Sequence, residues 1–243
     1  MKQKDKMVKY QVFPRWFGNS TYPLVKNGSI TENGVGKFSA FTPTALARIK
    51  ELGTSHIWYT GVIEHATQTD YTAYQIHKDH SDVVKGKAGS PYAIKDYYDI
   101  DPDLADRVPN RMKEFEALVK RTHDAGMKVI IDFVPNHVAR EYHSDARLSY
   151  VEDLGQHDNT SKAFDINNNF YYIPGQPLQL HFGDNQEDFE YSEFPAKVTG
   201  NNHFDASPGK NDWYETVKLN YGVDYVNGGI CHFNPIPNTW TKM

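Results

Sequence analysis

One run restricts the possible folds of this sequence more than any other: KVIIDFVPNHVAR, at residues 128–140. Its first half contains four large apolar side chains, Val129, Ile130, Ile131 and Phe133. A run without a polar face predicts a strand that is buried on both sides, and such strands are typical of parallel sheets covered by helices. The sequence is therefore expected to form an α/β fold.

Strand and helix patterns alternate along the chain before this run. Strand-like segments occur at 8–13 and 56–60, and apolar residues recur at helical spacing in 43–52 and 110–124. Residues 61–109 show neither pattern and are interpreted as a long loop. The alternation predicts parallel strands that are joined by right-handed crossovers.

Two architectures fit this alternation, an open doubly wound sheet and a barrel. No glycine-rich phosphate loop follows any of the strand-like segments, although a dinucleotide-binding sheet requires one. Polar residues instead gather after the strand ends, where barrel enzymes place their active sites. These observations favour part of a barrel.

The helical pattern disappears in the second half of the chain. Asn, Asp, Gly, Pro and aromatic residues dominate residues 138–243. About a hundred residues without a helix cannot form a single loop in a compact domain. We therefore expect an irregular β-type subdomain at 138–222, inserted after a barrel-like part at 1–137, with 223–243 leading towards a further strand.

Composition excludes several classes of protein. The 26 basic and 31 acidic residues give a net charge of −5, so the basic surface that is typical of nucleic-acid-binding proteins is not expected. No apolar run approaches the length of a membrane span, and the N-terminal residues lack the apolar segment of a signal peptide. A cytoplasmic location is the default expectation. The single cysteine, Cys231, rules out an intrachain disulfide.

Three polar residues close the run that was described first: Asp132, Asn136 and His137. A charged carboxylate inside a packed core is costly unless it is paired, whereas at a strand end it can face a ligand or an arginine from a neighbouring strand. Asp132 can equally cap the following turn, and a single histidine is more often structural than catalytic. The convergence of all three residues on one strand end indicates a functional site.

The segment DFVPNH at 132–137 resembles the first conserved region of the α-amylase family, glycoside hydrolase family 13, which lies at the end of the third barrel strand. Four further segments resemble family patterns in the same order: QVFPRWFGN at 11–19, LGTSHIWYTGVIE at 52–64, SPYAIKDYYDIDPDL at 90–104 and WYETVKLNY at 213–221. The resemblance implies the amino-terminal portion, about three strands, of a TIM (β/α)8 barrel with an inserted, irregular β-type B domain.

The resemblance also implies roles for individual residues. Tyr92 would stack on a substrate sugar, His137 would hydrogen-bond the hydroxyls of that sugar, and Asp132 would line the same site and pair with an arginine from a fourth strand. Asn136 would be a calcium ligand. Lys218, however, stands where calcium-binding members carry an aspartate, and a cation at that position argues against bound calcium.

Retaining glycosidases need two carboxyl groups about 5 Å apart, one as nucleophile and one as acid/base. In the family the nucleophile lies in a G-x-R-x-D run, and these 243 residues contain no such run. The nucleophile and the acid/base are therefore expected beyond Met243, and no catalytic residue is assigned. We interpret the chain as the amino-terminal part of a retaining hydrolase of α-glucans such as starch and maltooligosaccharides, inactive on its own.

Two other functions fit the sequence. One is a non-catalytic carbohydrate-binding module that keeps Tyr92 and His137. The other is a small metallohydrolase that uses His77 and His80, although their loop offers no helical frame for a zinc site. The motifs distinguish neither α-1,4 from α-1,6 linkages nor hydrolysis from transglycosylation. A partial barrel would also expose an unpaired strand edge, so self-association is expected.

Overall fold

The computed structural model describes residues 6–182, 189–232 and 238–243. Helices and strands of the first part of the chain are β1 (Lys9–Val12), α1 (Ile30–Asn33), α2 (Pro43–Glu51), β2 (His56–Tyr59), β3 (Ile63–His65), β4 (Ile94–Ile100), α3 (Arg111–Asp124) and β5 (Lys128–Ile131). Those of the second part are β6 (His137–Ala139), β7 (Tyr172–Ile173), β8 (Ala196–Lys197), β9 (Thr216–Lys218), β10 (Val223–Asp224), β11 (Ile230–Cys231) and α4 (Asn238–Thr241).

The chain divides into two compact units. Unit 1 comprises Met1–Glu64, Tyr71–Ile76 and Asp99–Phe133. Unit 2 comprises His65–Asp70, His77–Tyr98 and Val134–Met243.

Unit 1 contains a parallel sheet with the strand order β1-β2-β5. Lys9 pairs with His56 at the start of β1 and β2, and His56 pairs with Lys128 at the start of β5. In the chain, α2 connects β1 to β2 and α3 connects β2 to β5. The predicted succession of three parallel strands and two crossover helices is confirmed.

The two crossover helices form for the reasons that the sequence indicates. In α2, Thr42 Oγ1 accepts a hydrogen bond from the backbone N–H of Ala45 at 3.2 Å, and Pro43 occupies the first turn. This cap satisfies a backbone donor that the helix itself leaves without a partner. Leu46 and Ile49 then place apolar side chains on one buried face of the helix.

The core of unit 1 contains aromatic and aliphatic side chains from both helices and from the sheet: Phe38, Phe41, Leu46, Ile49, Ile57, Tyr59, Val62, Ile100, Leu104, Leu118 and Met127. The hydroxyl of Tyr59 and Thr122 Oγ1 of α3 lie 2.7 Å apart inside this core. Burial raises the pKa of Tyr59 to about 12, so this phenol stays protonated. The hydrogen bond therefore satisfies the polar end of an otherwise apolar contact.

The expectation that residues 129–133 form a fully buried strand is wrong. β5 ends at Ile131, and Ile131 and Phe133 are 42% and 49% exposed. The physical reason is the position of β5 at one edge of its sheet, where one side lacks a neighbouring strand within the described residues. Self-association through this edge stays a prediction.

The interpretation of residues 61–109 as a loop is also wrong in part, because β3 and the seven-residue β4 lie within it. Asp96 and Asp99 interrupt the apolar pattern of β4, yet both are buried. Asp96 accepts hydrogen bonds from Ser144 Oγ at 2.6 Å and from the Ala146 N–H at 3.0 Å. Asp99 pairs with the guanidinium of Arg111. Carboxylates with such partners can occupy a buried strand, and the sequence does not reveal the partners.

A buried ionic cluster joins segments of unit 1 that are distant in sequence. Arg15, which follows β1, contacts Asp101 at 3.4 Å and Asp103 at 3.0 Å. The Tyr71 hydroxyl also donates to Asp103, and Lys37 Nζ donates to its backbone carbonyl at 2.6 Å. The two aspartates are almost inaccessible to solvent, so Arg15 supplies the charge that makes their burial tolerable.

Unit 2 has little regular secondary structure. Besides residues 94–98 of β4, it contains β7, β8, β10 and β11, with two residues each, and β6 and β9, with three. β6 pairs with β9 in an antiparallel manner, with His137 opposite Lys218. These short strands agree with an irregular β-type region, and the inserted domain at 138–222 stays a prediction. Residues 233–237 of the predicted lead into a further strand lie outside the described residues.

Arg140 has the largest fully buried side chain in the described residues. Its guanidinium makes hydrogen bonds that stabilise unit 2 where regular sheet is scarce. Nε donates to the Tyr214 carbonyl at 2.6 Å, and one terminal nitrogen contacts Glu193 at 2.7 Å and the Lys197 carbonyl at 3.2 Å. The other terminal nitrogen donates to the Thr216 carbonyl at 3.3 Å. The side chain thus links three segments that are distant in sequence.

The buried cluster of unit 1 gives a direct stability prediction. Arg15→Ala leaves Asp101 and Asp103 buried without their cation, and we expect the free energy of unfolding to fall by about 3–5 kcal/mol. Arg48→Ala is the matched control, because Arg48 pairs with Glu51 on the surface, with side chains 75% and 61% exposed. We expect that change to cost less than about 1 kcal/mol. Urea denaturation measures the free energy of unfolding of both variants. Equal losses of stability would contradict the structural role assigned to Arg15.

Candidate functional site

Tyr92 lies in the turn that precedes β4 in unit 2. Its side chain is 46% exposed, and its backbone N–H donates to Ser90 Oγ at 3.3 Å. The backbone of Tyr92 also influences the imidazole of His137, whose pKa it raises. The sequence-predicted tyrosine and histidine therefore meet in the fold, with the ring of Tyr92 available to solvent.

His137, at the start of β6, is only 7% exposed. The Asn136 side-chain amide lies 2.9 Å from His137 Nδ1 and 2.9 Å from the Gly200 carbonyl. Since the Asn136 oxygen accepts from Lys218, the amide nitrogen is the donor and His137 Nδ1 is the acceptor. The proton of the neutral ring is thus on Nε2.

Burial and, after it, the positive charge of Lys218 together lower the pKa of His137 to about 4, while the backbone of Tyr92 opposes the shift. Burial also lowers the pKa of Lys218 itself. At neutral pH the imidazole is therefore uncharged. It can exchange hydrogen bonds with neutral hydroxyls but offers no fixed charge.

Two further residues enclose the imidazole. The ring of Trp213 lies 5.2 Å from that of His137, and Trp213 is 42% exposed. Gly200 packs so closely that an added Cβ would lie 2.9 Å from His137 Cβ and 2.4 Å from Thr216 Oγ1. Glycine is therefore required at position 200, because a larger residue would displace the imidazole.

The residues around Asn136 do not fit a calcium ion. Calcium needs several oxygen ligands. The one that the family resemblance implies is the side-chain oxygen of Asn136. That oxygen accepts a hydrogen bond from the ammonium of Lys218. An ammonium group thus contacts the atom that a metal would need, and it repels a divalent cation.

Asp132 belongs to unit 1, and its contacts do not match the interpretation as a turn cap, whereas its pairing with an arginine stays a prediction. The indole N–H of Trp58, on β2, donates to Asp132 Oδ1. Oδ2 is buried and has no hydrogen-bond partner within the described residues. Asp132 is therefore held by the neighbouring strand rather than by the following turn. A buried, unpaired carboxylate oxygen is costly, so it marks a place where a donor is expected.

The metallohydrolase interpretation gains no support. The rings of His77 and His80 lie against different partners, His143 at 5.3 Å and Tyr191 at 5.6 Å. In the part of the chain that the structure describes, neither belongs to a group of three His, Cys, Asp or Glu side chains close enough to share a metal ion.

Unit 2 thus brings together Tyr92, Asn136, His137 and Lys218, and Asp132 has separate partners in unit 1. Trp213 was missed as an individual residue. The sequence singled out its segment, WYETVKLNY, only as a family pattern, and nothing in that pattern reveals which ring remains exposed.

Comparison with known proteins defines the family. A family model described as the α-amylase catalytic domain matches residues 11–194. The chain belongs to this family, and the resemblance found in the sequence is confirmed. No helix among the described residues is long and apolar enough to cross a membrane.

Individual relatives cover the chain to different extents. The probable oligo-1,6-glucosidase 3 of Bacillus subtilis is 28% identical over 180 residues, which are 70% of this chain and 25% of that protein. The amino acid transporter heavy chain SLC3A1 of Rattus norvegicus is 45% identical over 51 residues, 21% of this chain and 7% of that protein. The crystal structure of an α-amylase from Lactobacillus plantarum matches with 30% identity and a TM-score of 0.38, covering 56% of this chain and 24% of that one. The chain spans a quarter or less of the length of each.

The depressed pKa of His137 predicts how stability depends on pH. Between pH 6.5 and about pH 4 the unfolded histidine binds a proton that the folded ring does not, so stability falls as the pH falls through this window. The largest loss is about 3 kcal/mol. In His137→Gln, the difference in unfolding free energy between about pH 7 and about pH 4.5 should shrink by about 2 kcal/mol.

The control for this measurement is His157→Gln, since the side chain of His157 is 63% exposed. We expect that variant to keep the pH dependence of the wild type. Denaturant titrations at the two pH values measure this dependence. Equal pH dependence of stability in the two variants would contradict the role assigned to His137.

The contact between Lys218 and Asn136 predicts that calcium has no effect on stability. We expect the melting temperature of the wild type to be the same with millimolar Ca²⁺ and with a chelator. Lys218→Asp removes the ammonium and adds a carboxylate, so its melting temperature should rise on addition of Ca²⁺. Lys210→Asp, at an exposed position of unit 2, controls for the added charge. Stabilisation of the wild type by Ca²⁺ would refute this description.

Proposed function

We propose that the chain is the amino-terminal portion of a (β/α)8-barrel glycoside hydrolase that acts on α-glucans, with unit 2 containing its inserted B domain. Membership of the α-amylase family supports this proposal, and so does the parallel β1-β2-β5 sheet with its crossover helices. The name of the Bacillus subtilis relative also indicates a glucosidase. Because another relative is named as a transporter heavy chain, family membership alone does not assign hydrolysis.

The observation that carries the substrate assignment is the joined position of Tyr92 and His137. A phenol ring that is 46% exposed can stack on the apolar face of a pyranose. The backbone of Tyr92 lies close enough to the buried imidazole to influence the pKa of His137. In the proposal Tyr92 supplies the stacking surface, and the small exposed part of His137 contacts sugar hydroxyls.

The chemistry of the proposed hydrolase is a retaining mechanism, which needs a nucleophile and an acid/base about 5 Å apart. The run that contains the nucleophile in this family does not occur in the sequence. In the proposal, a fourth strand supplies these groups, together with a guanidinium for the unpaired oxygen of Asp132. The 243 residues by themselves are then a substrate-contacting part without catalytic groups.

This proposal predicts weak binding without turnover. We expect the purified chain to bind maltopentaose with millimolar affinity and to release no reducing sugar from starch. Tyr92→Ala should weaken binding about tenfold, because it removes the stacking surface. Tyr74→Ala is a matched control, since Tyr74 has the same exposure, 46%, and lies in unit 1. Calorimetry measures affinity, and a reducing-sugar assay measures turnover.

The other outcomes discriminate between the alternatives. Release of reducing sugar at an enzymatic rate would refute the assignment of the catalytic groups to residues outside this sequence. Micromolar affinity without turnover would favour a non-catalytic carbohydrate-binding module. A parallel titration with isomaltooligosaccharides would show whether α-1,4 or α-1,6 linkages are preferred.

A further inference from the structure

Trp213 combines three properties that a residue with a purely structural role does not need. It lies in the turn before β9, and its ring is 5.2 Å from that of His137 at an interplanar angle of 58°. It is nevertheless 42% exposed. A large apolar ring that stays partly in solvent loses a substantial part of the stabilisation that full burial would provide.

The backbone of Trp213 is strained. Its φ angle is +47°, in the left-handed region that favours glycine, and a bulky residue there is an outlier. Such strain persists only where the surroundings impose the conformation, and it concentrates at functional sites. A glycine at this position would relieve the strain, so the indole side chain must offer something that glycine cannot.

The surroundings of Trp213 fix its position. The backbone N–H and the hydroxyl of Thr216 both donate to the Trp213 carbonyl, at 2.9 Å and 3.0 Å. The buried guanidinium of Arg140 donates to the carbonyls of the next residue, Tyr214, and of Thr216. The backbone of this turn is therefore held by Thr216 and by Arg140.

We propose that Trp213 is a second sugar-contacting ring, which acts together with Tyr92 and makes this surface select α-glucans of several glucose units over single glucose. This inference rests on the proposed function. Both aromatic residues neighbour the same imidazole: the ring of Trp213 lies 5.2 Å from it, and the backbone of Tyr92 raises its pKa. Two partly exposed rings that share one rigid neighbour can each stack on a pyranose, and their contributions add when the sugars are linked.

The test compares Trp213→Gly with the wild-type chain. Glycine removes the ring and suits the left-handed backbone, so the melting temperature should stay close to that of the wild type while the affinity for maltopentaose falls about tenfold. Glucose binding should change much less. Trp240→Ala is the matched control, because Trp240 is a tryptophan of unit 2 with a similar exposure, 47%, and should leave the affinity unchanged.

A second variant keeps the test informative if the glycine variant folds poorly. Trp213→Phe retains an aromatic ring, so binding should survive, but the change in tryptophan fluorescence on addition of maltopentaose should disappear. Persistence of that change in Trp213→Phe, or undiminished affinity in a folded Trp213→Gly, would overturn the inference while the proposed function stands. Absence of any maltopentaose binding by the wild type would overturn the proposed function and this inference with it.

Discussion

Unit 2 depends on the burial of one guanidinium. Apart from β4, its strands have only two or three residues and form few of the long ladders that usually order a β-type domain. Arg140 supplies replacement bonds to the segments around Glu193, Lys197 and Tyr214. Although burial alone would raise it, Arg140 and Lys197 hold the pKa of Glu193 below its usual range. The pair therefore stays ionised, and its charges stabilise each other in a region that water does not reach.

Buried charge pairs also account for part of the family patterns in the sequence. Arg15 comes from QVFPRWFGN, and Asp101 and Asp103 come from SPYAIKDYYDIDPDL, yet all three are used in a buried cluster that holds unit 1 together. Arg15, Asp101 and Asp103 thus serve the fold, whereas Tyr92, in the second of these segments, is the residue proposed to stack on a sugar. Recognition of a family from such patterns therefore identifies the scaffold first and the chemistry only second.

The parts of the structure that the sequence predicted are those in which local periodicity decides the outcome. α2, α3 and the three parallel strands follow from apolar spacing and capping. β4 was missed because the partners of its buried aspartates lie far along the chain. The burial of β5 was overestimated because the local sequence does not show that a strand lies at the edge of its sheet. At the candidate site, family patterns pointed to Tyr92 and His137. The left-handed turn and the exposure of Trp213 depend on Arg140 and were not readable.

The scarcity of regular ladders in unit 2 also determines how its backbone exchanges hydrogen with solvent. In unit 1, slow amides should form continuous blocks along β2, α2 and α3, because neighbouring residues share one cooperative element. In unit 2, protection should be confined to scattered amides such as those of Arg140, Val198 and Leu219, which donate to distant carbonyls. The slowly exchanging amides of unit 2 would then lie in the loops that its buried charges stabilise, rather than along the strands of a sheet.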